Sequence, residues 1–287
     1  MDSSTPDGLR AGLKRVLDLP TLPGVAASLQ QVLSSPTSAA TDVCEIVSRD
    51  LALSSRILRL VNSPYYGFAR EIASISRAVV VLGFNRIKVL LLTASVIDAL
   101  RGKGCAGIRA DLFWSDSLAT AISAESCAAA VGIDRDRAFV AGLLHDVGRI
   151  ALAIHFPGRF QDVLDRARAA SGRLLQAEGS VLGVDHAEVG FWVAEHWGLP
   201  EEVAEAIRFH HAAVRSRAPL PAVVALSEAV VRGLGIGTTG EAHVPPLPAE
   251  ALDRIGLPAS RAGEVVASAV EGIVRGRAFF DLVRGRA

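Results

Sequence analysis

Histidines are concentrated in one part of this 287-residue sequence. Six of the seven lie between positions 145 and 211, and His145 is followed directly by Asp146 in the segment GLLHDVGR. His186 begins the segment HAEVGFW, and His210 and His211 form a doublet. Imidazole and carboxylate groups together suit iron, manganese or zinc, and metals held in this way activate water for phosphoester hydrolysis. These five residues are therefore candidate ligands of a divalent metal.

The elements that carry these residues are predicted to be α-helices. Apolar residues recur at spacings of three and four along almost the whole chain, whereas sustained alternation with a period of two is hard to find. We therefore predict an all-α fold. The predicted helices, in chain order, are Ala39–Arg49, Leu51–Val61, Ile72–Leu82, Arg86–Leu100, Leu112–Val131, Arg137–Ile154, Phe160–Ser171, Leu174–Leu182, His186–Trp197, Glu201–His210, Pro219–Arg232 and an amphipathic ending, Ala259–Arg284.

Several of the candidate ligands have simpler interpretations. The predicted helix Arg137–Ile154 is mostly apolar, so His145 and Asp146 within it need hydrogen-bond partners or a cation to offset their desolvation. They form either part of a metal site or a hydrogen-bonded pair that fixes helix packing. Neighbouring helix positions point apart, so of His210 and His211 we expect only one to face the site.

Composition narrows the class of protein. Apolar residues make up 50% of the chain, which is enough for a core, and 30 basic residues balance 30 acidic ones. A net charge of zero gives no global attraction for nucleic acid or anionic lipid, so neither is an expected partner. The longest apolar run, Val89–Ile97, is too short to span a bilayer. Residues 1–10 are polar and lack the basic and apolar stretches of a secretory signal, so we do not expect export. Three cysteines without CxxC spacing argue against disulfides, so we expect a soluble cytoplasmic protein.

Several blocks of the sequence resemble one known superfamily. The segments GLLHDVGR, GVDHAEVGFWVAEHWGLPEEV and AIRFHH resemble the metal-dependent phosphohydrolases that are named for their His–Asp doublet. The segments LPTLPGVAASLQQVL, DLALSSRILRLVNSPYYG and IASISRAVVVLGFNRIKVLLL are similar to the HD-related output domain (HDOD), a bacterial signalling branch of that superfamily. The resemblance extends from about Leu17 to about Arg215.

The resemblance implies an N-terminal helical subdomain packed on an HD-like helical bundle, used in bacterial signalling and gene regulation. A glycine-rich break at residues 102–107 separates these two parts. The expected division is a tail (1–16), the helical subdomain (17–101), the bundle (108–232), a Gly/Pro-rich mobile segment (233–258) and a C-terminal helix (259–287).

The resemblance also implies which residues bind the metal. The positions that match the superfamily's ligands are His145, Asp146, His186, His210 and His211. Related sequences have a further histidine in a WxHS context, where this chain has Asp116 in FWSDS. Asp116 is therefore a candidate sixth ligand, or alternatively a solvated or helix-capping carboxylate.

Other positions depart from the superfamily pattern. The closing aspartate would come from the helix around Ala225, where the chain offers only Ser227 and Glu228, and Arg149 stands where a lysine is common. The GYP motif of cyclic di-nucleotide hydrolases is absent after His211, so hydrolysis of that substrate is disfavoured.

Two functions follow from the resemblance. The first is a signalling module that binds a protein or nucleotide partner, with a degenerate metal site and little or no catalysis. The alternative is a metal-dependent phosphohydrolase that acts on a nucleotide or another phosphoester. In that enzyme Asp146 would bridge two ions and Arg149 would steady the phosphate.

Overall fold

The computed structural model describes residue 47 and residues 50–100, 107–169, 174–237 and 249–283. These residues form α-helices and one 3-10 turn, with no strand among them, so the predicted all-α fold is confirmed. The predicted tail (1–16), nearly all of the predicted helix Ala39–Arg49 and residues 238–248 of the Gly/Pro-rich segment lie outside the described residues. The helices are α1 (Leu51–Val61), α2 (Ile75–Leu82), α3 (Phe84–Leu100), α4 (Ala110–Val131), α5 (Arg135–Leu144), α6 (Val147–His155), α7 (Pro157–Ala169), α8 (Leu174–Leu182), α9 (His186–His196), α10 (Glu201–Phe209), α11 (Leu220–Gly233), α12 (Ala249–Arg254), α13 (Ala259–Arg275) and α14 (Arg277–Val283), with the 3-10 turn at Ala213–Arg215.

The contacts within the chain define two compact units. Among the described residues, the larger unit contains residues 107–269 and the smaller unit contains residues 50–100 together with 270–283. In the smaller unit α1, α2 and α3 pack on one another, and α14 contacts α1. The domain borders expected from the sequence stay predictions.

Close helix contacts in the larger unit depend on glycines. There α4 packs against α5 and α11, while α9 packs against α6 and α10. A Cβ on Gly142 of α5 would lie 2.8 Å from the carbonyl oxygen of Thr120 in α4, and a Cβ on Gly148 of α6 would lie 2.0 Å from that of His186 in α9. Only glycine allows the two pairs of backbones to touch. The contact at Gly148 brings α9 against the His–Asp doublet.

The doublet lies at a break between two helices. The prediction of one continuous helix over Arg137–Ile154 is wrong, because α5 ends at Leu144 and α6 begins at Val147. Asp146 leaves the helical conformation, with φ −100° and ψ 10°. Similarly, the predicted single C-terminal helix is two helices, α13 and α14, which are separated at Gly276.

The stretch Arg135–His155, which contains α5 and α6, is the one described segment with the length and apolar composition of a membrane-crossing helix. Its most apolar window is 89% buried inside the fold. The segment is thus packed in the protein core, which accounts for its apolar composition.

Candidate metal centre

Three of the predicted histidine ligands lie around the carboxylate of Asp146. His186 Nε2 lies 3.1 Å from Asp146 Oδ1, and His210 Nε2 lies 3.8 Å from the same oxygen. His145 Nε2 lies 3.4 Å from Asp146 Oδ2. His145, Asp146 and His186 are 0% exposed, and His210 is 2% exposed. The α5–α6 junction, the start of α9 and the end of α10 thus contribute to one interior site.

His211 also reaches this site. Its Nε2 atom lies 2.9 Å from His186 Nε2, and its side chain is 14% exposed. The expectation that only one residue of the histidine pair faces the site is wrong, because α10 ends at Phe209 and both histidines lie in the turn that follows it. The argument that neighbours point apart applies only within a helix.

Asp116 is buried in α4 beside the doublet. It is 3% exposed, and its carboxylate forms a group with His145 and Asp146 whose ligand atoms lie within 4.8 Å of one another. The interpretation as a solvated or helix-capping carboxylate is therefore wrong. Burial raises the pKa of Asp116 to about 7, an effect that the nearby His145 charge opposes. Gly237, with φ +63°, closes over this residue: a Cβ there would lie 2.5 Å from the Asp116 Cβ.

Backbone carbonyls orient two of the imidazoles. His145 Nδ1 donates a hydrogen bond to the carbonyl oxygen of Gly142 at 2.8 Å, and His210 Nδ1 donates one to that of Ile207 at 2.7 Å. Each bond fixes the ring so that Nε2 faces Asp146. Histidines that bind metals commonly use the second ring nitrogen in this way.

A carboxylate that the sequence analysis missed orients the third imidazole. Glu178 is 0% exposed, and its Oε2 lies 2.6 Å from His186 Nδ1 and accepts a hydrogen bond from the His186 backbone N–H at 3.0 Å. The sequence did contain a signal, because Leu174, Glu178 and Leu182 are spaced by four and share one helix face. Both leucines are buried, so an acidic residue between them must have a buried partner.

Buried polar atoms without hydrogen bonds mark the centre of the site. Among the described residues, Nε2 of His145, Nε2 of His210 and both carboxylate oxygens of Asp146 have no hydrogen-bond partner of good geometry. Each unsatisfied buried polar atom costs about 1–3 kcal/mol. An ion surrounded by these atoms would remove that cost, so the residues fit a bound metal.

A buried arginine pairs with the central carboxylate. Arg149 is 1% exposed, and its Nη1 lies 3.1 Å from Asp146 Oδ2. Burial would raise the pKa of the Asp146 carboxyl, but the charges of Arg149, His145 and His186 hold that pKa well below its usual range. The carboxylate is therefore ionised at neutral pH.

The histidines divide into two electrostatic classes. Burial lowers the pKa of each histidine. At His145 the negative charge of Asp146 outweighs burial and raises the pKa to about 9. At His186 the charges of Glu178 and Asp146 outweigh burial and raise the pKa to about 10. At His210 burial prevails and lowers the pKa to about 4. Burial and the neighbouring His210 also lower the pKa of His211. In the metal-free protein His145 and His186 are thus cationic at neutral pH, whereas His210 and His211 are neutral.

The possible ligands form two sets that share Asp146. We call Asp146, His186, His210 and His211 the histidine set. Asp116, His145 and Asp146 form the aspartate set. Within each set the ligand atoms lie within 4.8 Å of one another. Such nitrogen and oxygen donors suit iron, manganese or zinc.

Glu228 lies in α11, the helix from which the resemblance implied a closing aspartate. It is 1% exposed, its carboxylate pairs with Arg232, and its Oε2 lies 3.7 Å from His211 Nδ1. The Ser227 hydroxyl instead donates a hydrogen bond to the carbonyl oxygen of Val223 at 2.8 Å. Glu228, rather than Ser227, is thus the residue of α11 that contacts the histidine pair.

A cleft of about 320 Å³ opens beside the cluster. Its lining includes His211, Phe209, Arg208, Glu188 and Arg215. Two hydrogen bonds, of 2.8 and 3.0 Å, join the guanidinium of Arg208 to the carboxylate of Glu188. His211 connects this cleft to the buried ligands.

Comparisons with known proteins agree with this architecture. The HDOD domain model matches residues 19–213. An uncharacterized protein of Treponema pallidum (strain Nichols) is 30% identical over 241 residues, which are 80% of this chain and 45% of that protein. The uncharacterized protein YuxH of Bacillus subtilis (strain 168) is 41% identical over 59 residues, which are 21% of this chain and 14% of that protein. This chain therefore spans less than half the length of either relative.

Two solved structures share the fold. An HDOD domain protein of unknown function from Geobacter sulfurreducens has a TM-score of 0.76 and 27% identity, over 94% of this chain and 99% of that chain. A candidate phosphohydrolase from Shewanella amazonensis SB2B has a TM-score of 0.77 and 24% identity, over 95% and 98% of the respective chains.

Proposed function

Because the chain belongs to the HDOD domain family, we propose that it is a regulatory module that binds a protein or nucleotide partner. In this proposal the metal centre stabilises the helical scaffold and has little or no catalytic activity. The partner then recognises a surface whose shape the centre maintains.

Burial of the metal centre is the observation that carries this proposal. His145, Asp146 and His186 are each 0% exposed. Metal-assisted phosphoester hydrolysis requires a substrate oxygen to reach the metal or its bound water. Within the histidine set His211 alone lines the cleft, so an ion held by the other three ligands would have little access to a substrate, which favours a structural role.

The departures from the superfamily pattern support the same conclusion. Asp116 replaces a neutral imidazole, and burial raises its pKa to about 7, which weakens it as an anionic ligand at neutral pH. In α11, where the resemblance implied a closing aspartate, Glu228 is already paired with Arg232. Both departures make an intact hydrolytic centre less favourable.

A structural ion in this place would link three parts of the larger unit. The histidine set joins the α5–α6 junction to the start of α9 and the end of α10. Since the ligands converge only in the folded chain, the free energy of metal binding would add to the free energy of folding.

A metal-dependent phosphohydrolase that acts on a nucleotide or another phosphoester is the second candidate. Two observations favour it: the two ligand sets share Asp146, and a cleft reaches His211. Against it, Arg149 is buried and paired with Asp146, so its guanidinium is committed inside the protein rather than presented to a phosphate in the cleft.

The test compares metal content with turnover. Protein purified without chelator is measured for iron, manganese and zinc, then incubated with a panel of nucleotides and cyclic di-nucleotides while phosphate release is followed. We expect bound metal, no release above that of Asp146→Ala, and saturable binding of any nucleotide ligand in calorimetry. Turnover that Asp146→Ala abolishes would overturn the proposal in favour of the phosphohydrolase.

A further inference from the structure

We propose that the centre holds a single metal ion, in the histidine set, and that the buried guanidinium of Arg149 takes the electrostatic place of a second ion. This inference rests on the proposed function and deepens it, because it explains how a site with two ligand sets can be structural.

The two oxygens of Asp146 face different groups. Oδ1 faces His186 at 3.1 Å and His210 at 3.8 Å, both of which belong to the histidine set. Oδ2 faces His145 at 3.4 Å and Arg149 at 3.1 Å. An ion in the histidine set can therefore bind Oδ1 without displacing the guanidinium.

A second ion has no such freedom. In the aspartate set it would bind Oδ2 together with His145 and Asp116, and ligand bonds of this kind are about 2 Å long. The guanidinium already lies 3.1 Å from that oxygen. Two cations would then share one carboxylate oxygen in a buried place, where their repulsion is screened little.

Arg149 cannot readily leave to make room. It belongs to the first turn of α6, where its backbone N–H donates to the carbonyl oxygen of Asp146 at 2.9 Å, and it is 1% exposed. A guanidinium stays protonated at all accessible pH values, unlike the lysine ammonium that the superfamily often has here. The positive charge beside Oδ2 is therefore permanent.

The two sets also differ in the number of ligands. The histidine set offers three imidazoles and one carboxylate, and Glu178 orients one of those imidazoles. The aspartate set offers only one imidazole and two carboxylates. Four ligands complete the coordination of an ion such as zinc, whereas three leave it incomplete.

Stoichiometry tests the inference directly. Metal-free full-length protein is titrated with Zn²⁺ and, separately, with Mn²⁺ by calorimetry, and metal content is measured after dialysis. We expect one ion per chain. Two ions per chain, or none, would overturn the inference.

A pair of variants, each lacking one ligand, assigns the ion to its set. Asp116→Asn should keep one ion, with an affinity within about threefold of the wild type. His210→Asn should weaken binding by 100-fold or more. The opposite order of sensitivity would overturn the assignment. Circular dichroism checks that both variants are folded.

Arg149→Met tests the role of the guanidinium, since methionine is unbranched and uncharged. We expect it to admit a second ion, and a folded variant that still binds one ion would overturn that role. If this variant does not fold, the wild-type stoichiometry and the Asp116→Asn result decide. Phosphate release alone would refute the proposed function, whereas two ions without turnover would refute only this inference.

Discussion

Replacing Gly148 by alanine would force α6 and α9 apart where their backbones touch. The new Cβ would lie 2.0 Å from the carbonyl oxygen of His186 and 2.7 Å from the backbone nitrogen of Gly190. Carbon and oxygen atoms normally approach to about 3.3 Å, so α9 would have to move by roughly 1 Å. That movement would carry His186 away from Asp146, 3.1 Å from it in the native structure.

The expected cost follows from two opposing effects. Overpacking of a core costs about 1–3 kcal/mol, and the upper end applies because the obstructing atoms belong to the backbone. Alanine recovers about 1 kcal/mol of helix propensity relative to glycine. The free energy of unfolding should therefore fall by about 2 kcal/mol, which lowers Tm by about 4–8 °C. Affinity for Zn²⁺ should fall at least about tenfold, as when a group that positions a ligand is lost.

Thermal unfolding of the metal-free protein and calorimetric titration with Zn²⁺ measure both effects. Gly179→Ala is the matched control, because Gly179 lies in α8 and its Cβ would meet no atom within 4 Å. The control should leave Tm unchanged or slightly raised and leave the metal affinity unchanged. If Gly148→Ala behaved like the control in both measurements, the inferred link between the α6–α9 contact and the metal centre would be refuted.

Other predictions follow from the same cluster. Glu178→Gln should lower the affinity for Zn²⁺ by about 10–100-fold in calorimetry, whereas the exposed control Glu195→Gln should leave it unchanged. Equal Zn²⁺ affinities of the Glu178→Gln variant and the wild type would exclude a positioning role for Glu178. In the metal-free protein the pKa values of His145 and His186 are raised to about 9 and about 10, above about 6.5 in the unfolded chain. Their stabilisation is therefore full below pH 6.5 and is lost as pH rises through 9 and 10, so Tm should fall over that range; a constant Tm would contradict this. The pKa of His210 is lowered to about 4. Its contribution to the free energy of unfolding is therefore full above about pH 6.5 and is lost as pH falls through 4. In acid unfolding, the stability of a His210→Asn variant should depend less on pH than that of the wild type.

Apolar spacing predicted the helices well where local sequence also ends them. The bounds predicted for Leu51–Val61 and Leu174–Leu182 agree with α1 and α8. The break at the doublet was not predicted, because apolar residues continue on both sides of it and the turn is coupled to a tertiary contact. That contact, between Gly148 and the backbone of α9, joins residues far apart in sequence.

The ligands could be proposed from residue type and resemblance, but the pairing of Glu178 with His186 could not. Glu178 contacts His186 across a loop, and the pairing depends on how α8 and α9 are placed. In the phosphohydrolase alternative Arg149 was expected to steady a phosphate, whereas the structure pairs it with Asp146, three positions earlier in the chain. That spacing is within reach of a side chain on one helical turn, so the sequence did contain the signal.

Anomalous scattering from a crystal of the zinc-loaded protein tests the central claim most directly. The account predicts one strong peak in the larger unit, about 2 Å from Asp146 Oδ1 and from one ring nitrogen of each of His186, His210 and His211. Peaks confined to the surface, with these four side chains turned away from a common point, would contradict it.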